Sequence, residues 1–226
     1  MVSVVMVAAG KGARMGANVD KLFLEVAGRP IVEHTWRRLD AAEVVDEIVV
    51  VVRDGMQSDF EAMAAAMGLG KPWRCVAGGA ERQDSVGKGL AAVSDACRIV
   101  AIHDAARPCV TGELVRATVE AADAGGAAVA AQRVIDTIKE SDDGETISGH
   151  PERARLWAVQ TPQTFRIDVI RRALAEVKKQ GVAITDDTAA CELIGQSVKL
   201  VESPDPNPKA TSPADLPYLE MLLGES

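Results

Sequence analysis

The sequence holds only three histidines and four cysteines, and neither type is clustered. His34, His103 and His150 stand far apart, and Cys75, Cys97, Cys109 and Cys191 show neither a C-x-x-C pair nor zinc spacing. A structural zinc site and a thioredoxin-like redox motif are therefore excluded. With no secretory context, free thiols in a reducing cytosol are expected. The N-terminus lacks a basic segment, its apolar run breaks at Gly10, and Ile48–Val52 is stopped by Arg53. Neither stretch fits a signal peptide or a membrane span, so the expected location is cytoplasmic. A basic excess is missing too. The net charge of -8 argues against a nucleic-acid partner, whose phosphates need a basic face. A small anionic substrate stays open, because local cations override a global sign.

Two common phosphate motifs are also absent. A dinucleotide fingerprint needs a third glycine where Met15 stands, and a P-loop fails at Gly87-Lys88, which is followed by Gly89. What is present is the apolar run Val4–Ala9 breaking into Gly10-Lys11-Gly12-Ala13-Arg14-Met15-Gly16, with Lys21 beyond. Gly10, Gly12 and Gly16 would bring backbone N–H groups close to an anion, because glycine permits close approach and positive φ. Lys11, Arg14 and Lys21 add full charges. A plain βα turn with solvated cations is the competing reading. Three glycines together with Arg14 and Lys21 favour a polyphosphate site at the carboxyl end of a strand.

The length of 226 residues suits one domain over 1–226. Apolar runs alternate with helical patterns, which predicts an α/β fold with a mostly parallel sheet and crossover helices. Strands are expected at Val2–Ala9, Ile48–Val52, Ile99–Ile102, Ala127–Ala131, Leu156–Gln160 and Val198–Val201. Helices are expected at Ile31–Leu39 with Pro30 in the first turn, Phe60–Met67, Asp84–Val93, Gly112–Ala124 capped by Thr111, Ile167–Gln180 and Thr188–Leu193. A last helix opens at Ser212-Pro213-Ala214-Asp215. Arg133–Arg155 breaks this rhythm, because two alternating runs flank Asp142-Asp143-Gly144. That pattern predicts a protruding β-hairpin, which needs a surface to pack on, its own domain or another subunit.

Gly78-Gly79-Ala80-Glu81-Arg82-Gln83-Asp84-Ser85 is a second glycine loop entering a helix, suited to a planar base with Ser85 on its edge. A plain loop N-capped by Asp84 is the alternative. Ile102-His103-Asp104-Ala105-Ala106-Arg107-Pro108 follows a strand. There Asp104 is placed to orient Mg²⁺ on a triphosphate, and Arg107 to hold a phosphate; an ion pair bracing the loop is the structural alternative. His103 is expected to be a satisfied loop histidine, since no nucleophile requires it. The polar groups of Trp157–Phe165 and Thr185-Asp186-Asp187 suit either a polyol or capping and turns, and Lys209 is placed to reach the same mouth of the sheet.

Taken in this order, these motifs resemble the 2-C-methyl-D-erythritol 4-phosphate cytidylyltransferase family of the non-mevalonate isoprenoid pathway. The resemblance rests on Ala8-Ala9-Gly10-x-Gly12-x-Arg14-Met15 with Lys21, Gly78-Gly79-x-Glu81-Arg82-x-x-Ser85-Val86 and His103-Asp104-Ala105-Ala106-Arg107-Pro108. Asp136-Thr137-x-Lys139, Leu156-Trp157 through Thr161-Pro162-Gln163, Thr185-Asp186 and Lys209 extend it over nearly the whole chain. It implies a Rossmann-like fold of the nucleotide-diphospho-sugar transferase type, with helices on both faces and a dimerising arm over 133–155. The first loop, with Ala8, Ala9, Gly10 and Gly12, would wrap CTP, with Arg14 and Lys21 on the transferring phosphoryl group, and the Gly78-Gly79 loop and Ser85 would hold cytosine. Asp104, Arg107, Thr137, Arg153 and Lys209 would bind methylerythritol phosphate, with Thr137 and Arg153 coming from the neighbouring subunit of a homodimer. The sequence departs from the family in having Asp20 where many members have proline, and Ala80 where an acidic residue is frequent. Arg155 competes with Arg153 for the arm position.

The chemistry implied needs no general base, since the acceptor phosphate is already an anionic nucleophile. The protein positions groups and stabilises charge, with Mg²⁺ held mainly by the triphosphate. Two rivals are cytidylyl transfer to another polyol phosphate, such as ribitol 5-phosphate, and a non-catalytic nucleotide-binding regulator. Loss of Arg14 or Lys21 would have favoured the regulator, and both are present.

Overall fold

A computed structural model describes residues 1–10 and 20–224 of the chain. The order is β1 (Val2–Ala8), β2 (Glu25–Val26), β3 (Arg29–Pro30), α1 (Ile31–Ala41), β4 (Glu47–Val52), α2 (Gln57–Met67), β5 (Trp73–Ala77), α3 (Arg82–Ala92) and β6 (Ile99–Asp104). Then come α4 (Gly112–Gly125), β7 (Ala127–Arg133), β8 (Trp157–Arg166), α5 (Ile167–Gln180), α6 (Asp187–Glu192), β9 (Lys199–Glu202) and α7 (Leu216–Gly224). The main sheet runs β5-β4-β1-β6-β8-β7-β9, and β2-β3 forms a separate ribbon.

Side chains alternate along the central strands, and both faces are covered. Val4 and Met6 of β1 with Ile48, Val50 and Val52 of β4 join one apolar layer, which also takes Trp36 of α1, Phe60 of α2 and Leu219 of α7. Val5, Val49 and Val51 point the other way, into a layer with Val86 of α3, Ile170 of α5 and Cys191 of α6. Burial on two faces explains the uninterrupted valine runs. Helices on both faces were expected, and the sheet is mixed. β1 pairs parallel with β4 and β6, β4 with β5, and β7 with β9, whereas β8 is antiparallel to both β6 and β7.

Several boundaries differ from expectation. The predicted strand Leu156–Gln160 continues to Arg166. Pro162 and a run of polar residues there read as loop, yet Gln160, Thr161, Gln163 and Thr164 are all buried in the sheet. β5 was not anticipated, because Trp73 and Arg74 give a short edge strand little apolar alternation. Pro30 precedes α1 rather than opening its first turn. Thr111 caps α4 as expected, accepting from Leu114 N–H at 3.2 Å. Ser212 forms a capping box with Asp215, ahead of a 3-10 turn that leads into α7. All four cysteines are free.

The expected hairpin over Arg133–Arg155 is reduced to one antiparallel bridge, Glu140 with Gly149. Its turn is present: Asp143 accepts from the N–H groups of Glu145 (2.8 Å) and Thr146 (2.7 Å), and Gly144 takes φ 77°. The flanks form no ladder, because nearly every side chain between β7 and β8 is exposed and a two-stranded ribbon needs a surface to pack on.

Candidate active site

The chain leaves β1 toward β4 on one side and reaches β6 on the other. That arrangement opens a crevice beyond the carboxyl ends of the strands, the place where open α/β sheets bind ligands. A cleft of about 590 Å³ lies there, lined by Ala8, Ala9 and Gly10 after β1, Arg53 after β4, Gly78 and Gly79 after β5, and Asp104 ending β6. Lys21, Arg82, Ser85 and Lys209 complete its wall. Gly12 and Arg14 lie outside the described residues.

Both glycines of the second loop are sterically required. A Cβ on Gly78 would sit 2.7 Å from the Ala9 Cβ and 2.8 Å from the Ser85 Oγ, and one on Gly79 2.2 Å from the Asp84 Cβ. The loop is therefore pressed against the end of β1. Ser85 is buried, donates to the Glu81 carbonyl (3.1 Å) and accepts from Gly79 N–H (3.0 Å). Its hydroxyl braces the loop and has a second lone pair for a ligand. Glu81, not Asp84, is the N-cap of α3, and Asp84 returns a bond to Glu81 N–H at 3.1 Å as the partner in a capping box. The sequence has the box in reverse chemistry, with the longer acid first, which is why the shorter Asp84 reads as the cap. Lys88 ties the loop down from behind, donating to the Gly78 carbonyl at 2.7 Å.

Across the cleft, Asp104 is 9% exposed. Its Oδ2 lies 2.7 Å from the Lys209 Nζ and 3.7 Å from the Arg107 Nε. Burial alone would raise its carboxyl; Lys209, Arg82 and Arg107 outweigh that and hold it below the ordinary range. Arg107 donates to the Asn207 carbonyl at 2.7 Å. Lys21 donates to the Ala210 carbonyl at 2.8 Å. The loop after β9 is thus clamped onto the loop after β6. His103 is 0% exposed, and burial pushes its pKa down to about 4. The Thr161 Oγ1 accepts from Asp104 N–H (3.1 Å) and lies 3.1 Å from His103 Nδ1, while His103 Nε2 faces the Arg107 carbonyl, which can only accept. That carbonyl, at 3.3 Å, places the ring proton on Nε2, so in the neutral ring Nδ1 accepts from the Thr161 hydroxyl. His103 is the satisfied histidine that was expected.

Residues 2–225 match the family described as 2-C-methyl-D-erythritol 4-phosphate cytidylyltransferase (IspD). The chain belongs to this family. A relative so named from Symbiobacterium thermophilum is 43% identical, the match covering 99% of this chain and 93% of that one. The crystal structure of such a cytidylyltransferase from Thermus thermophilus superposes with a TM-score of 0.81 at 33% identity, over 99% of this chain and 98% of that one. That of the 4-diphosphocytidyl-2C-methyl-D-erythritol synthase from Anaerococcus prevotii gives a TM-score of 0.87 at 28% identity, over 98% and 95%.

Two residues that the family pattern singled out stand elsewhere in this chain. Thr137 and Arg153 lie on the exposed excursion, outside the cleft lining, and Arg153 donates to the Ile135 carbonyl at 2.9 Å. Asp186 caps α6, accepting from Ala189 N–H at 2.9 Å, and Gln163 donates to it at 3.2 Å. Asp186 thus takes the capping role that the sequence allowed beside polyol binding. Two cations had been given no role at the cleft. Arg82 reaches the fully buried Asp187 at 2.7 Å, where burial pushes the carboxyl up against the pull of that guanidinium. Arg53 pairs with Asp20. The signal for Arg53 was available: it directly follows a buried strand, at the end where ligands bind.

Proposed function

We propose that the protein joins CTP and 2-C-methyl-D-erythritol 4-phosphate, giving 4-diphosphocytidyl-2-C-methyl-D-erythritol and pyrophosphate. The observation that carries this is the two-walled cleft. One wall is backbone and glycine, at Ala8–Gly10 and Gly78-Gly79; the other carries Asp104 and Lys209, with Arg107 outside the lining and 3.7 Å from Asp104. The first wall suits a nucleotide and the second a hydroxylated phosphate.

An oxygen of the acceptor phosphate attacks the α-phosphorus in line. As that bond forms, the bond from the α-phosphorus to the bridging oxygen breaks, and its electron pair leaves with pyrophosphate. No proton need be removed, which agrees with a neutral, internally bonded His103. Lys21, fixed at the cleft by the Ala210 carbonyl, and Arg14 stabilise the growing charge. Asp104 accepts from acceptor hydroxyls, held ionised and oriented by Lys209. The described residues contain no group of three or more His, Cys, Asp or Glu able to hold a metal. Mg²⁺ would accordingly be held by triphosphate oxygens, with Asp104, already paired to Lys209, left to touch its water shell. When bound, the ion neutralises triphosphate charge and eases departure of pyrophosphate.

The excursion completes the reading. Ile135 is 83% and Ile147 61% exposed, an apolar surface that a second copy would cover in a homodimer, carrying Thr137 and Arg153 to the partner's cleft. Among the described residues no helix is long and apolar enough to cross a membrane. The test is pyrophosphate release from CTP with methylerythritol phosphate and, separately, with ribitol 5-phosphate. Release with the first, much less with the second, and loss of both in excess EDTA are expected. Faster turnover of ribitol 5-phosphate would overturn the acceptor, and no turnover with either would leave a binding protein.

A further inference from the structure

We propose that Asp20 and Arg53 form a latch that sets Lys21 in the cleft, a positioning pair for the transfer proposed above and resting on that reading. Arg53 follows β4, whose six residues are all buried and which pairs with β1 on one side and β5 on the other, so its backbone is fixed by the sheet. Asp20 immediately precedes Lys21. Its Oδ2 meets the Arg53 Nη2 while its Oδ1 accepts from Leu22 N–H at 3.1 Å. The same residue's carbonyl accepts from Phe23 N–H at 3.0 Å, closing the 3-10 turn Lys21–Phe23. Leu22 is buried in the apolar layer beneath. Lys21 is thus carried on a short turn pinned below by Leu22 and sideways by Arg53, with its ammonium on the Ala210 carbonyl.

The pair has an electrostatic consequence as well. Asp20 is an anion next to the cation that faces the transferring phosphoryl group, and Arg53 cancels it at contact distance. Both Lys21 and Arg53 line the cleft, so opening the pair would move Lys21 and expose a carboxylate to the triphosphate together. Asp20 has φ -79°, inside the range that a proline ring enforces. A proline there would restrain the turn covalently and carry no charge.

The experiment compares kcat and KM for CTP in Asp20→Asn, Arg53→Ala, their double variant, and Asp20→Pro combined with Arg53→Ala. Each single change should lower kcat about tenfold with KM for CTP within about twofold, between the small worth of an exposed pair and the cost of a misplaced reacting group. The Asp20→Asn/Arg53→Ala variant should be no worse than either single one, as for two residues acting as a unit. Asp20→Pro/Arg53→Ala should run several-fold faster than Asp20→Asn/Arg53→Ala. Additive losses, or a raised KM for CTP in Arg53→Ala alone, would overturn the latch and make Arg53 a direct phosphate ligand. Hydrogen exchange in the protein without substrate supplies a second readout: Arg53→Ala should speed exchange at Leu22, Phe23 and Leu24, and unchanged exchange would overturn the latch. This readout stands even where wild-type protein releases no pyrophosphate, the result that would instead refute the transfer itself.

Discussion

Arg107 and Arg153 are both expected to meet the acceptor, yet they sit in opposite surroundings. Arg107 is largely buried, donates to the Asn207 carbonyl at 2.7 Å and stands 3.7 Å from Asp104. Arg153 is exposed and donates to the Ile135 carbonyl of its own excursion. The first stands against Asp104, a residue of the cleft that sits at the end of β6. The second belongs to a segment with one bridge and no apolar backing. Rigid, desolvated groups serve a step in which charge must be met by dipoles already in place. Exposed groups acquire a fixed geometry only when another surface arrives, so if both arginines meet the acceptor, the two halves of that site would be assembled at different stages.

The sharpest test of this contrast gives the largest effect. Lys21→Ala should lower kcat by about two to three decades, the loss of roughly 2.7–4 kcal/mol that follows removal of a charge-stabilising contact, with KM for CTP little changed. Arg153→Ala homodimers should also be nearly inactive. When the two variants are refolded together, each mixed dimer has one site with both lesions and one with neither. Steady-state assays should therefore show recovery to about a quarter of wild type. No recovery, with mixed dimers seen by native mass spectrometry, would place Arg153 in its own subunit's chemistry or outside chemistry altogether.

The next effect concerns acid. His103 is neutral in the fold with its pKa pushed down to about 4, against about 6.5 unfolded. The unfolded chain therefore binds a proton more readily. The stability tied to His103 is complete above about pH 6.5 and is lost as pH falls toward about 4, up to about 3 kcal/mol. Urea unfolding at about pH 7.5 and about pH 4.5 should show a smaller acid loss in His103→Gln than in wild type. An equal loss would mean the ring is protonated without cost, contradicting its place beneath the cleft.

Gly78→Ala comes third. Its methyl would overlap the Ala9 Cβ at 2.7 Å and the Ser85 Oγ at 2.8 Å, a small overpacking that costs about 1–3 kcal/mol. The loop should back away from β1 and KM for CTP should rise, while acceptor KM stays near wild type. Equal increases in both would show that the two walls move together.

What could be read from letters follows the same division. β1, β4 and β6 were legible because two-sided burial demands unbroken apolar runs, and the Gly78-Gly79 loop because close approach there admits no side chain. Ala9, Gly78, Asp104 and Lys209 converge as the strand-end rule requires. β8 was half hidden: Thr161, Gln163 and Thr164 are polar in composition but buried through bonds to distant partners, such as Thr164 to Thr118 at 3.0 Å. Asp20 illustrates the same limit. In sequence it is an anion weakening the field of Lys21; only the fold brings Arg53, 33 positions away, to neutralise it. Arg82 was read as part of a motif, with no sign of its buried partner Asp187.

The smallest expected effect lies on the excursion. Ile135 and Ile147 are 83% and 61% exposed in the subunit, so Ile135→Ser and Ile147→Ser should change subunit stability by no more than about 0.5 kcal/mol. Their effect belongs to association, since an apolar side chain buried only between copies contributes nothing before they meet. Sedimentation should show dimers dissociating at higher protein concentration, and because association adds to apparent stability, melting should become more concentration-dependent than in wild type. Activity at high protein concentration should return toward normal, since Arg153 and Thr137 are untouched and mass action restores the pairing. A large stability loss at every concentration would mean the excursion packs on its own subunit. Unchanged dissociation would remove it from the interface, and with it the reason to bring Arg153 to a neighbouring cleft.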